Sequence, residues 1–136
     1  MLLIPILNVK IISGLSDLTG GVEGVTHQSI EDIAIMRSIP NMIVLVPADY
    51  YSAKVIIKKA SKYEWPVYIR LGRNDTLDIF DENYQFEIRK ANKFEEGKEV
   101  CIIGAGLILD RAIKAVDVLK ERGHSIELLE MPSINP

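Results

Sequence analysis

The chain is poor in cysteine, and Cys101 is the only one among its 136 residues. A single thiol forms neither an intrachain disulfide nor a cysteine metal cluster, so both kinds of site are excluded. Cys101 lies in an apolar run, where we expect a buried thiol rather than a nucleophile. Because a protein without disulfides is typical of a reducing compartment, we expect this one to be cytoplasmic.

The sequence also lacks a strong excess of positive or negative charge. The 16 basic and 19 acidic residues are spread along the sequence and leave a net charge of −3. The sequence has no basic tract of the kind that binds nucleic acid and no lysine-rich amphipathic stripe of the kind that lies on a membrane. We therefore expect neither nucleic acid nor a membrane as a partner.

Long apolar runs are missing too. The apolar start, residues 1–7, is short, has no basic flank and contains Pro5, so it predicts neither a membrane span nor a signal peptide. We interpret it as the cut edge of a larger sequence. The length and the hydrophobic content of 48% indicate about one globular domain rather than a disordered chain.

What the sequence does contain is an alternation of apolar runs with helical patterns. We predict strands at residues 9–12, 42–46 and 67–71, because each is a short and mostly apolar run. Such strands, joined by helices, are typical of a parallel sheet covered on both faces, with ligand-bearing loops at the carboxyl ends of the strands. The sequence therefore predicts an α/β fold with a parallel sheet flanked by helices.

Two helices are predicted between these strands. Ser29 followed by Asp32 resembles a capping box, which predicts a helix over residues 29–39 with Ser29 as its N-cap. Asp49 is predicted to cap a second helix with an apolar stripe on one face and lysines on the other. The stripe consists of Ala53, Ile56, Ile57 and Ala60, and the solvated face consists of Lys54, Lys58, Lys59 and Lys62.

The second part of the chain predicts one βαβ unit. Residues 74–98 are polar and mixed, and we interpret them as an interdomain connection. After them the pattern predicts a strand at 99–103, a helix at 107–122, Gly123 as its C-cap, and a strand at 125–131. The glycines of the turn at 104–106 suggest a dinucleotide-binding turn, but Leu109 stands at the third glycine position, so that fingerprint is incomplete.

A glycine-containing loop follows the first predicted strand and brings His27 to the start of a helix. Gly21 and Gly24 allow backbone angles and close approaches that other residues resist, so the loop can press against a ligand. An imidazole exchanges a proton near neutral pH, and a glycine loop before a helix can stabilise an oxyanion. From these residues alone, His27 is either a group for proton transfer or hydroxyl binding, or a surface histidine with no task.

The spacing around His27 carries a resemblance to a known family. The motif G-x-x-G-x-T-H-Q, an amphipathic helix, R-x-x-P-N-M before an apolar strand, and P-A-D resembles the pyrimidine-domain signature of transketolases. The residues in family order and spacing are Gly21, Gly24, Thr26, His27, Gln28, Ile30, Glu31, Arg37, Pro40, Asn41, Met42, Pro47, Ala48 and Asp49. The resemblance implies a partial pyrimidine-binding domain at 1–73, a linker at 74–98 and a partial transketolase C-terminal domain at 99–136.

The resemblance also implies roles for individual residues. His27 matches the family histidine that contacts the donor ketose near its reacting carbon and helps to move protons. Glu23 stands where the family usually has an aspartate that binds a substrate hydroxyl, and its extra methylene shifts that contact by about an ångström. Arg73 matches the arginine that holds the sugar phosphate. A second, phosphate-binding histidine would fall near Leu15, which cannot do that work, and Arg70 is expected to be a structural or neighbouring-site charge.

A reaction, a cofactor and a partner follow from the same resemblance. Transketolases transfer a two-carbon ketol unit between sugar phosphates with thiamine diphosphate and magnesium. The family glutamate that activates this cofactor, and the G-D-G motif that binds its diphosphate and metal, have no counterpart here, so the cofactor-binding residues are unknown and no metal ligand is predicted. We interpret the chain as a truncated or split C-terminal half, inactive alone, with a site completed by an N-terminal half or a second subunit. An open sheet edge predicts a homo- or hetero-oligomer.

Two alternatives stay open. The chain can be a non-catalytic structural or interaction remnant of a transketolase-like protein. It can also be a fragment of a 1-deoxyxylulose-5-phosphate synthase or of the beta-type subunit of a 2-oxoacid dehydrogenase, although the run T-H-Q-S-I-E-D favours transketolase.

Overall fold

A computed structural model describes residues 7–18, 21–73 and 75–134 of the protein. Most of the apolar start and Gly20 of the glycine loop lie outside the described residues. Two three-stranded sheets organise the chain, one in each half. No helix among the described residues has the length and apolar character needed to cross a membrane.

The first sheet is parallel and carries a helix on each face. Its strands are β1, Lys10–Ser13, β2, Ile43–Leu45, and β3, Val67–Arg70, in the spatial order β1-β3-β2. Helix α1, Asp32–Ser38, precedes β2, and helix α2, Tyr50–Ala60, follows it. The α/β fold and the three predicted strands are confirmed, each strand within one or two residues of its expected bounds.

Strands β2 and β3 are buried because both of their faces are covered. On one face, Ile43 and Ile69 pack with Ile56 of α2. On the other face, Val44 and Tyr68 pack with residues of α1. This two-sided burial explains why β2 and β3 are continuous apolar runs rather than alternating ones.

The start of α1 differs from the sequence prediction, whereas the start of α2 agrees with it. Ser29 is not an N-cap: α1 begins at Asp32, and its capping residue Glu31 makes no side-chain capping bond. The carboxylate of Asp32 is instead used in a tertiary contact with β3. At α2, the side chain of Asp49 accepts a hydrogen bond from the backbone N–H of Ser52, and the Ser52 side chain accepts one in return, which completes a capping box.

The second sheet contains the predicted βαβ unit and one additional strand. Its strands are β4, Asn92–Glu95, β5, Val100–Gly104, and β6, Ile126–Glu130, in the order β4-β6-β5. Strands β5 and β6 are parallel and are joined by α3, Leu109–Glu121, whereas β4 runs antiparallel to β6. The side chain of Cys101 is exposed on β5, so the prediction that this thiol is buried is wrong. Val100 and Ile103 of the same strand are also exposed, whereas Ile102 packs against the core of the second unit.

The segment between the two units is packed, although its composition predicted a connection. Tyr84 and Phe86 are 7% and 2% exposed and belong to the core that covers β3. Strand β4 then adds to the second sheet. The alternation of Tyr84, Phe86 and Ile88 directs these side chains inward while the residues between them stay in solvent. Residues 75–98 therefore contribute to both units.

Backbone pairing also joins the two units. The N–H of Val46 donates to the carbonyl of Pro132 at 2.9 Å, and the N–H of Ile134 donates to the carbonyl of Val44 at 2.9 Å. The segment after β6 thus runs antiparallel along the free edge of β2. Gly106 lies against the same strand end, because a Cβ at this position would be 2.5 Å from Cγ1 of Val46. Close packing between the units accounts for this glycine of the turn at 104–106.

Candidate functional site

The predicted site residues lie on two loops at one edge of the first sheet. Glu23 and His27 are on the loop that follows β1, and Arg73 is on the loop that follows β3. The two strands are parallel neighbours, so their carboxyl ends meet at the same edge. The structure therefore brings together the two loops that the sequence predicted for this site.

The His27 loop consists of two short 3₁₀ turns, Gly21–Glu23 and Val25–His27. Gly24 separates them with φ 76° and ψ −176°, a conformation that residues with a side chain rarely adopt. His27 is exposed, and its Nδ1 lies 2.9 Å from the hydroxyl of Thr26. This contact leaves Nε2 as the ring atom that can meet a ligand.

Glu23 and Arg73 contact each other directly. A carboxylate oxygen of Glu23 forms an ion pair with Nη1 of Arg73, and the two side chains are 33% and 39% exposed. Both residues were predicted to bind the same substrate, one at a hydroxyl and the other at a phosphate. In the structure, each of the two side chains neutralises the charge of the other.

Leu15 lies in the turn directly after β1, at the same edge. Its φ is 61°, which is unusual for a residue with a large side chain, and the side chain is 48% exposed. Asp17, two residues later, also has a positive φ of 106°. The apolar Leu15 brings no hydrogen-bond donor to the position where the family resemblance expects a histidine.

A buried network behind the loop links β3 to the start of α1. Asp32 Oδ2 accepts hydrogen bonds from the hydroxyl of Tyr68 at 2.7 Å and from Nε of Arg70 at 2.8 Å. Burial raises the pKa of the Asp32 carboxyl, but the hydrogen bond from Tyr68 and the hydrogen bond and charge of Arg70 outweigh it, so the pKa is lowered. This network was not predicted from the sequence. The available signal was the arginine at the end of a buried strand, a position that requires a partner.

A second buried carboxylate, Glu130, lies where the two units meet. It accepts hydrogen bonds from the hydroxyl of Tyr84 at 3.0 Å and from the amide of Asn92 at 2.8 Å. Burial raises the pKa of Glu130, the bonds from Asn92 and Tyr84 lower it in part, and the charge of Asp49 raises it further. These groups bond one another, so the cluster holds residues 84–92 to the end of β6.

The described residues do not by themselves supply a site for the cofactor implied by the resemblance. No group of three or more metal-ligating side chains occurs in the ranges 7–18, 21–73 and 75–134. A cavity of about 410 Å³ lies at the carboxyl ends of β2 and β3, but Asp49 and Asp75 line it. Two carboxylates repel a diphosphate that carries no metal ion, so this cavity alone does not supply a diphosphate site.

Two family models match the chain. The model of the pyrimidine-binding domain of transketolase matches residues 5–77, and the model of the transketolase C-terminal domain matches residues 89–136. The first match alone covers more than half of the sequence.

Similar proteins carry related names. A chain of Methanocaldococcus jannaschii named as a transketolase C-terminal section is 44% identical over 97% of this chain, which spans 42% of that relative. One of the subunits of the apulose-4-phosphate transketolase of Phocaeicola vulgatus is 35% identical over 95% of this chain, which again spans 42% of the relative. The chain thus corresponds to less than half the length of these relatives.

Solved structures agree with the sequence matches. A split-gene transketolase described as an inactive beta4 tetramer is 40% identical, has a TM-score of 0.85, and matches 95% of this chain and 41% of its own. The transketolase of Campylobacter jejuni has a TM-score of 0.77 at 21% identity and shares the fold. The family models and the relatives together show that the chain belongs to the transketolase family.

Proposed function

We propose that this chain is part of a transketolase that transfers a two-carbon ketol unit between sugar phosphates. It contributes the ketose-binding residues Glu23, His27 and Arg73 to a thiamine-diphosphate site that another chain completes. The observation that carries the proposal is the ion pair of Arg73 with Glu23, a residue of the same loop as the exposed His27, at the carboxyl edge of the first sheet. Ligands of α/β proteins bind at such edges.

Arg73 supplies the phosphate-binding charge. Its guanidinium is half-exposed, and a planar guanidinium binds phosphate oxygens through two parallel hydrogen bonds. An arriving phosphate competes with Glu23 for this guanidinium. Once displaced, the Glu23 carboxylate is free to accept a hydrogen bond from a hydroxyl of the same sugar.

His27 acts on the sugar rather than on the phosphate. Nδ1 lies next to the Thr26 hydroxyl, so Nε2 can exchange a proton with a ketose hydroxyl. Thiamine diphosphate, when bound with magnesium, supplies the electron sink for carbon–carbon cleavage. Both are implied by the family, and we propose that residues of a partner hold them.

An exposed apolar edge supports the proposal of a partner chain. Ile11 and Ile12 of β1 are 36% and 52% exposed although they point to opposite faces of the strand. A strand that is apolar on both faces is typical of the interior of a sheet covered on both sides, and an exposed edge strand of this kind recruits another chain. We propose that an N-terminal transketolase half or a second subunit covers this edge, and that residues 1–73 and 99–136 are parts of the pyrimidine-binding and C-terminal domains.

The test is reconstitution of activity. The purified chain is mixed with a candidate N-terminal half, thiamine diphosphate and magnesium, and turnover of xylulose 5-phosphate with ribose 5-phosphate is measured. We expect turnover, and we expect the His27→Ala variant to lower it by at least about tenfold. A His124→Ala variant is the matched control, because His124 lies in the second unit and is predicted to leave turnover unchanged.

A non-catalytic interaction module is the second candidate, and Leu15 favours it. An exposed leucine stands where the family resemblance expects a phosphate-binding histidine. Absence of turnover with every N-terminal half tested, or a His27→Ala variant as active as the parent, would reject the catalytic proposal in favour of this one.

A further inference from the structure

Two arginines, one at the end of β3 and one just after it, contact the chain on either side of His27. Arg73 pairs with Glu23, four residues before His27. Arg70, the last residue of β3, donates from Nη2 to the carbonyl of Ser29 at 3.2 Å, two residues after His27. The same guanidinium donates from Nε to Asp32, the first residue of α1.

We propose that Arg70 is a positioning residue, which sets the place of His27 by holding Ser29 and Asp32 against β3. The proposal rests on the proposed function of His27 for its catalytic meaning. The contacts themselves exist without substrate, so they can be tested without turnover.

Packing does not hold the loop itself. Every residue from Glu23 to His27 is exposed, and Val25 is 86% exposed. Within the part of the chain that the structure describes, the hydrogen bonds of His27 stay inside the loop, from its N–H to the carbonyl of Gly24 and between its ring and Thr26. An exposed segment with only local bonds takes its position from the two points where it is anchored.

The anchor after His27 is firmer than the one before it. Arg70 and Asp32 are 16% and 9% exposed, whereas the residues of the Glu23–Arg73 pair are exposed by a third or more. Tyr68, two residues before Arg70 on β3, orients the Asp32 carboxylate. The carbonyl of Ser29 also accepts a hydrogen bond from the N–H of Asp17 at 3.0 Å, which holds Ser29 to the turn directly after β1. Water and salt weaken the exposed pair more than the buried one.

Arginine suits this role better than lysine does. Its planar fork reaches Asp32 and the Ser29 carbonyl at once, whereas an ammonium is a point charge on a flexible stem. Arg70→Lys is therefore expected to keep the contact with Asp32 and to lose the one with Ser29.

The test uses the two histidines of the full 136-residue chain, of which His124 serves as an internal reference. Ring resonances of both histidines and amide hydrogen exchange of residues 25–29 are recorded by NMR. In Arg70→Met we expect a shifted or broadened His27 resonance and at least ~10-fold faster exchange at 25–29, with His124 unchanged. Arg70→Lys is expected to be intermediate. Arg111→Met, an exposed arginine on α3, is expected to resemble the parent.

If Arg70→Met does not fold, as judged by circular dichroism, Asp32→Asn takes its place, because it keeps the shape of the side chain and removes its charge. A folded Arg70→Met or Asp32→Asn variant with parental His27 resonances and parental exchange at 25–29 overturns the positioning role. In reconstituted enzyme, we expect Arg70→Lys to lower kcat more than it raises KM. Altered NMR signals in a system without turnover would uphold the anchor and reject the proposed function alone.

Discussion

Glu23 and Arg73 neutralise each other across the edge of the first sheet, so a phosphate must compete with a carboxylate of the same chain. We expect Glu23→Gln to bind inorganic phosphate about twofold to fivefold more tightly, because an exposed ion pair contributes up to about 1 kcal/mol. Isothermal titration calorimetry on the isolated chain measures this. Arg73→Met is expected to abolish the binding.

Glu31→Gln is the matched control for this titration. Glu31 is an exposed carboxylate just before α1 and is not part of the Glu23–Arg73 pair. Weaker phosphate binding in Glu23→Gln, or an equal gain in Glu31→Gln, would contradict direct competition at Arg73.

Removal of the Tyr68 hydroxyl tests the buried network around Asp32. We expect Tyr68→Phe to lower the free energy of unfolding by about 1.5–3 kcal/mol, because the hydroxyl donates to a buried carboxylate and the ring leaves no cavity. Urea denaturation near pH 7 measures the loss. Tyr63→Phe is the control, since Tyr63 is half-buried in the same unit, and an equal loss there would argue against a specific effect of the Asp32 bond.

The same network is expected to contribute to the free energy of unfolding in a way that is lost at acidic pH. The pKa of Asp32 is lowered from its ordinary value of 3.8, so its contribution is present above that value and is lost as the pH falls through the folded-state pKa. The difference in unfolding free energy between the parent and Asp32→Asn is therefore expected to shrink as the pH is lowered from 6 to about 3. A difference that stays constant over this range would contradict the assignment.

Glu130 predicts the opposite dependence on pH. Its pKa is raised above the ordinary 4.5, chiefly by burial, so its favourable contribution is complete below that value and is lost as the pH rises through the folded-state pKa. The amide in Glu130→Gln can still accept from Tyr84 and Asn92. We expect the variant to gain on the parent between pH 4 and 8, by about 1 kcal/mol or more in unfolding free energy. Glu121→Gln, on the exposed end of α3, is expected to show no such trend.

Three glycine substitutions separate backbone strain from steric overlap. Gly106 has φ 70° and would place a Cβ 2.5 Å from Val46, Gly123 has φ 87° with open space around it, and Gly14 has open space without a positive φ. Alanine is expected to cost about 1–2 kcal/mol at Gly123, more at Gly106, and less than about 1 kcal/mol at Gly14. Thermal unfolding ranks the three variants. A Gly106→Ala variant as stable as Gly123→Ala would show that the contact with Val46 relaxes without cost.

Local features of the fold were predictable, and distant pairings were not. The cap at Asp49 was predicted because aspartate is a preferred N-cap residue, and its partner in the structure, Ser52, is only three residues away. Arg70 and Asp32 are 38 residues apart, and no local sequence pattern predicts their contact. Ser29 was assigned as an N-cap because the spacing to Asp32 fits a capping box, but the Asp32 carboxylate has stronger partners on β3.

The candidate site shows the same division. The glycine spacing identified the His27 loop, since positive φ at Gly24 is a local requirement. The pairing of Glu23 with Arg73 depends on two strands being neighbours, which the sequence of one loop does not encode. Strand β4 was not predicted because its sequence, Asn-Lys-Phe-Glu, carries only one apolar side chain. The strand forms through backbone pairing with β6, which is distant in sequence.

The pairing of residues 132–134 with β2 has a consequence for biosynthesis. The carbonyl of Val44 pairs with the N–H of Ile134, ninety positions later, so the edge of the first sheet stays unsatisfied while the ribosome makes the second unit. Contacts of such long sequence separation form slowly. The nascent first unit is therefore expected to engage chaperones until the segment after β6 has left the exit tunnel.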